Sequence, residues 1–147
     1  MKIALVCAPG GHLTQMLFII EAFEGHEIFF ITNENPRTNQ LKYRKYLIEN
    51  IGTDIKKMAK GFLKIFTILN KEKPDFIIST GGVIAIPAII ISRLMRLKSI
   101  YIESWSRVKT KSGTGRILYY FSNHFLVQWP ELVKKYGKKA RYNGAVI

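Results

Sequence analysis

A single cysteine in 147 residues rules out a disulfide scaffold. Cys7 sits within an apolar run, where a free thiol behaves as a small buried hydrophobe in a reducing compartment. Acidic side chains are scarce: 10 Asp and Glu face 23 Lys and Arg, a formal net charge of +13. Only three histidines occur, and no spacing of His, Cys, Asp and Glu suits a metal site, so neither metal nor cofactor is expected. The longest apolar stretch, residues 83–97, is broken by Pro87, Arg93 and Arg96 and falls short of the ~20 residues a spanning helix requires. The brief apolar run after Met1 meets Pro9, Gly10 and Gly11, which reads as a first strand rather than a signal peptide. Neither Gly-x-Gly-x-x-Gly nor Gly-x-x-x-x-Gly-Lys-Ser/Thr is present, which removes most support for NAD and P-loop nucleotide chemistry.

What is present is apolar and ordered in blocks. Hydrophobic residues make up 48% of the chain, too many for intrinsic disorder. A chain of this size buries roughly 68–70% of its unfolded surface, and one domain spanning residues 1–147 is the natural reading. Runs of β-branched and aliphatic residues predict strands at 3–7, 27–32, 75–79, 99–103 and 124–128, with short ones at 46–48 and 141–147. Helical patterns fall between them at 12–23, 54–72, 83–97, 113–122 and 130–136. This alternation predicts an α/β fold, a Rossmann-like doubly wound parallel sheet. In such sheets ligands sit beyond the carboxyl ends of the strands, so the loops after Cys7, Ser79 and Glu103 form one rim.

The first rim loop, Ala8 to His12, contains Gly10 and Gly11, which let backbone approach a ligand that a Cβ would exclude. Amides at the following helix start then face phosphate. His12 could donate there to a phosphate oxygen, take a proton from a sugar hydroxyl, or make a local hydrogen bond only. The second loop, Thr80, Gly81 and Gly82, repeats the pattern, so the pair predicts a diphosphate held between two helix N-termini; tight strand-to-helix packing also uses glycine. Thr14 and Arg107 complete the expected diphosphate set. Glu103 ends a strand, which would put its carboxylate where substrate sits or make it an ion-pair partner for Arg107.

Helix 54–72 carries an expected core stripe of Ile55, Met58, Phe62, Ile65, Phe66 and Leu69. Lysines 56, 57, 60, 64 and 71 gather opposite it, with Leu63 and Ile68 at the margins. The pattern fits an ordinary amphipathic core helix. It also fits a surface helix on anionic lipid, touching it through Lys57, Lys60, Leu63, Lys64 and Ile68. The charge is lopsided: residues 1–75 are net +3 and residues 76–147 net +10. Such a field favours polyanions, and Tyr119, Tyr120, Phe121 and Trp129 among the bases keep a nucleic-acid-binding module as an alternative, although no such motif stands out.

Several segments together are distinctive: Gly10, Gly11 and His12; Ser79 to Gly82; Tyr101 to Ser104; Arg107 to Lys109; Gly115 to Leu118; Val127 to Leu132; and Tyr142 with Gly144. They resemble the acceptor-side subunit of two-component lipid-linked sugar transferases. That family includes the membrane-recruiting subunit of the eukaryotic enzyme adding the second GlcNAc to dolichyl diphosphate, and bacterial polysaccharide proteins of the PssD/CpsF type. It is similar in turn to the N-terminal half of MurG-like GT-B enzymes. Where many members carry an acidic residue shortly after the loop histidine, this chain has Gln15.

The resemblance implies an inverting GT-B hexosyltransferase divided between two proteins. This chain would bind a polyprenyl-diphosphate-linked saccharide, and a separate subunit would bind the UDP-sugar, UDP-GlcNAc by the family pattern. It further implies a peripheral position on the cytoplasmic face of an anionic membrane and no nucleic acid partner. His12 or Glu103 would act as the base, and Tyr142, Gly144, Val146 and Ile147 would hold the partner.

Overall fold

The computed structural model describes residues 1–52 and 54–146. Seven parallel strands form one sheet: β1 (Lys2–Cys7), β2 (Glu27–Asn33), β3 (Lys45–Ile48), β4 (Phe76–Gly81), β5 (Lys98–Ile102), β6 (His124–Val127) and β7 (Ala140–Tyr142). Their order is β3-β2-β1-β4-β5-β6-β7. The helices are α1 (Gly11–Phe18), α2 (Pro36–Asn39), α3 (Ile55–Glu72), α4 (Ala85–Leu94), α5 (Gly113–Phe121) and α6 (Pro130–Tyr136). The expected helix 12–23 stops at Phe18 and continues as a 3-10 turn, Ile20–Phe23. The last strand ends at Tyr142, well short of residue 147. Helix α2 was not expected; Asn35 caps it by accepting from the Arg37 amide, with Pro36 in its first turn.

Both sheet faces are apolar, as parallel strands require. Alternate residues Ala4, Val6, Phe29, Ile31, Ile77, Tyr101 and Phe125 face α3 to α6 and form the larger core. The intervening Ile3, Leu5, Cys7, Phe30, Ile78 and Ile102 face α1. Burial pushes the Cys7 thiol up to about 12, so it stays protonated as a core side chain.

Helix α3 is rotated from its expected setting. Gly61, Ile65, Ile68, Leu69 and Glu72 face inward, while Ile55 is 81% exposed and Met58 and Phe66 are each 44% exposed. Two contacts set the rotation. A Cβ on Gly61 would lie 2.9 Å from Ile51 Cδ1, so glycine lets the helix close on the loop after β3. At the other end the Glu72 carboxylate accepts from Tyr46 and Arg44 and pairs with Lys2 at 3.3 Å. Ile68 is therefore core, 5% exposed, which corrects its placement among lipid contacts.

Candidate functional site at the switch point

Strand β1 lies between β2 and β4, where the chain's progress across the sheet reverses, and a crevice opens there at the carboxyl ends. Both glycine loops meet in it. The β1–β4 register shifts after Val6, pairing Cys7 with Gly81 and passing over Thr80. Such an irregularity re-aims a residue, and Thr80 now faces His12. The His12 Nδ1–H donates to the Thr80 carbonyl at 2.8 Å, and the Thr80 hydroxyl donates to the His12 carbonyl at 2.7 Å. Because a carbonyl only accepts, the proton of the neutral imidazole is on Nδ1 and Nε2 carries the lone pair.

The two glycine pairs do different work. Gly10, φ +82°, and Gly11 have open space where a Cβ would stand. Gly10 is the N-cap of α1 and no side chain caps the helix, so its first amides have no side-chain acceptor. Gly81 and Gly82 pack instead against the first loop: a Cβ on Gly81 would lie 2.9 Å from the His12 ring, and one on Gly82 2.3 Å from Ala8 Cβ. The Ala8 amide also donates to the Gly81 carbonyl at 3.1 Å. Thr80 and Gly81 are buried, which revises their expected role: they brace His12 and the first loop and do not face a diphosphate.

Sequence reasoning missed Arg37, which α2 carries to the first loop. Its Nη1 donates to the Gly10 carbonyl at 3.2 Å and to the Thr14 hydroxyl at 2.9 Å. Thr14 Oγ1 in turn donates to the Gly10 carbonyl at 3.1 Å. A guanidinium has five N–H donors, and among the described residues those on Nη2 and Nε have no partner. The signal was present, since Asn35 before Pro36 is a helix start, but the four-residue helix carries no apolar periodicity.

Glu103 is fully buried and its carboxylate is enclosed by protein donors, which corrects the expectation that it sits where substrate would be. One oxygen accepts from the Ser104 amide at 2.8 Å and from Tyr101. The other accepts from the Ser112 hydroxyl at 2.9 Å, the Ser112 amide at 3.2 Å and the Tyr136 hydroxyl. Arg107 is an exposed turn residue and makes no ion pair with it among the described residues. Burial, followed by the neighbouring carboxylate, holds the Tyr136 and Tyr101 hydroxyls above their ordinary range, so both remain donors. Glu103 is thus a hub joining β5, α5 and α6.

Gln15 is a second hub. Buried in α1, its Oε1 accepts from the Trp105 amide at 3.1 Å and from Gln128 Nε2 at 2.7 Å. Gln128 Oε1 accepts from the Val146 amide at 3.1 Å, which folds the C-terminal tail back onto the face of the sheet that α1 covers, beside Ile102 and Leu126. An acidic side chain at position 15 could accept both bonds but could not donate to the Gly11 carbonyl, as Gln15 Nε2 does at 3.3 Å. The arrangement leaves Trp105 42% exposed beside the rim. Tyr142 and Gly144 are exposed, and Ile147 lies outside the described residues.

Of the expected lipid contacts on α3, Lys57 pairs with Glu49 at 3.1 Å and Lys64 donates to the Leu47 carbonyl at 2.8 Å. Leu63 is 66% exposed and Lys60 is exposed. Between α3 and α4 runs an apolar cleft of about 400 Å³, lined by Ile55, Met58, Phe62, Val83, Ile86 and Pro87 among others. It begins at Val83, the residue after Gly82. No helix among the described residues is long and apolar enough to cross a membrane.

Residues 40–146 match the family described as oligosaccharide biosynthesis protein Alg14 like. The human UDP-N-acetylglucosamine transferase subunit ALG14 is 34% identical over 88 residues, covering 56% of this chain and 40% of that protein. The subunit of the same name from Yarrowia lipolytica is 26% identical, over 99% of this chain and 81% of its own length. This chain's matches therefore span under half of the human relative and most of the yeast one. Among solved structures, MurG of Acinetobacter baumannii superposes with a TM-score of 0.75 at 17% identity, over 89% of this chain and 43% of its own. A UDP-N-acetylglucosamine 2-epimerase from Rickettsia bellii gives 0.79 at 12% identity, over 99% and 45%. At these identities the likeness is one of fold alone, and this chain covers less than half of each of those two chains.

Proposed function

Because the chain belongs to the Alg14-like family of oligosaccharide biosynthesis proteins, we propose that it is the acceptor-side subunit of a UDP-GlcNAc transferase acting on a polyprenyl-diphosphate-linked saccharide. On this reading residues 1–147 are a single acceptor domain, and a separate protein presents the UDP-sugar from across the rim. The observation that carries the chemistry is the His12–Thr80 pair, which commits Nδ1 and leaves Nε2 as the acceptor beside the open Gly10 and Gly11 loop. The acceptor hydroxyl gives its proton to Nε2 as its oxygen attacks the anomeric carbon. In the same step the bond from that carbon to UDP breaks with inversion, and UDP leaves with its electron pair.

The acceptor diphosphate lies over the Gly10 and Gly11 amides at the start of α1, with the Arg37 guanidinium alongside. Trp105 offers its ring to the saccharide. The lipid chain leaves the diphosphate past Gly82 along the apolar cleft, where Ile55, Met58 and Val83 enter the bilayer boundary and Lys60 meets head groups. The resulting lipid-facing set is Ile55, Met58, Lys60, Leu63 and Val83, with Lys57 and Lys64 held back by Glu49 and Leu47. The exposed Tyr142 and Gly144 and the tail anchored by Gln128 form the partner's contact.

The test is transfer of labelled GlcNAc from UDP-GlcNAc to a short-chain polyprenyl-diphosphate GlcNAc, with a copurified donor-binding partner. Transfer is expected only when both proteins are present. His12→Gln should lower kcat by about 10²–10⁴ with little change in acceptor KM. Transfer by this chain unaided, or wild-type turnover by the variant, would refute the reading.

A further inference from the structure

We infer that the cleft between α5 and α6 is a second anion site, built to take a phosphate group. Its volume is about 600 Å³, within the range of small-molecule sites. Lys109, Lys111, Arg116 and Lys135 line it, together with the rings of Tyr120 and Tyr136. No carboxylate lines it. The ion pairs among the described residues all lie within residues 2–72, so none of these four cations has an acidic partner. Four like charges around one cavity repel one another, and an anion that enters relieves that repulsion.

The cleft is also held in shape before any ligand arrives. Its floor, Tyr136, is 7% exposed, donates to buried Glu103 and stacks on Tyr119 with ring centroids 5.7 Å apart. Lys111 Nζ stands 5.2 Å over the Tyr136 ring, and Lys135 Nζ is tied to the Lys109 carbonyl. Glu103 is therefore a positioning residue: through Ser112 and Tyr136 it fixes both walls. A phosphate here would meet charge-assisted donors from both helices, and a ring attached to it would meet Tyr120, which is 74% exposed. The phosphate could belong to a soluble nucleotide or to an anionic lipid head group; the binding chemistry is the same. The inference does not depend on catalysis at the switch point.

The test is a titration with inorganic pyrophosphate, then with UDP, followed by NMR of ring-labelled tyrosines and of the Gly10, Gly11 and His12 amides. The same chain is pelleted with phosphatidylcholine vesicles with and without phosphatidylglycerol. The Tyr120 and Tyr136 rings should shift on titration, and Lys111→Gln with Arg116→Gln should weaken that response about tenfold or more. The same pair should leave the loop amides' response unchanged, whereas Lys57→Gln with Lys60→Gln should leave the tyrosine response unchanged. Loss of vesicle pelleting in the Lys111/Arg116 pair, without a pyrophosphate response, assigns the site to a lipid head group. Rings that do not move, together with pelleting equal to wild type, overturn the inference. In a third titration with a short single-stranded oligonucleotide, rings that move for it alone would also overturn the inference and make this face a nucleic-acid surface. A loop response without a ring response refutes this site while leaving the switch-point reading intact.

Discussion

Glycine is informative here only once its surroundings are known. Gly11 and Gly82 lie in loops of similar sequence, yet one faces open space and the other the Cβ of Ala8. Gly82→Ala should therefore cost about 1–3 kcal/mol through overpacking, with further strain from its φ of +93°. Thermal denaturation measures that loss. Gly11→Ala, at a helix start with room for a methyl group, should leave Tm unchanged and lower transfer about 10- to 100-fold by displacing the diphosphate. Equal effects on stability would mean that the loops share one structural role. His12 illustrates the same dependence on context: its position at a helix start suggested function, but only the Thr80 carbonyl assigns the tautomer that makes Nε2 a base.

At the scale of the element, α3 separates what periodicity can tell from what packing decides. An amphipathic helix between residues 54 and 72 was legible, and Asp54 caps it by accepting from the Lys56 and Lys57 amides. Of the expected inward stripe, Ile65 and Leu69 are buried and Phe62 packs against the core, but Ile55, Met58 and Phe66 face out, because the helix has more apolar residues than its buried stripe can hold. Ile68→Ala should destabilise by about 2–5 kcal/mol, as large-to-small core changes do, without a direct effect on vesicle binding. Ile55→Ser with Met58→Ser should leave Tm within about 1 °C, since surface changes are small, and should reduce pelleting with anionic vesicles. The reverse pattern would return the helix to its sequence-based setting.

At the scale of the whole molecule, Glu72 ties β1, β3 and α3 together through Lys2, Arg44 and Tyr46. The hydrogen bond from Tyr46, then those from the cations, holds its carboxyl below the usual carboxylate range despite partial desolvation. A lowered native value means the stabilisation is complete above the unfolded value of about 4.3. It is lost as pH falls through the native one. Tm should therefore drop as pH is lowered below about 4. Glu72→Gln should lower Tm at neutral pH and flatten that acid limb, as calorimetry across pH 3–7 would read; an unchanged acid limb would remove Glu72 from the account.

The amino-acid sequence by itself determined the layers, the parallel sheet, the crevice and the first glycine loop. Each rests on local information: apolar runs that must be covered on both faces, and turn residues between them. Tertiary structure alone decided the chemistry of the rim. Arg37 reaches the loop across 23 positions from Thr14, Thr80 turns toward His12 because the β1–β4 register slips, and Glu103 is buried by Tyr136, which lies 33 positions further along. A carboxylate at a strand end reads the same from the sequence whether it meets solvent, substrate or a tyrosine. The difference is set by which distant segments pack above it, and that depends on the completed fold.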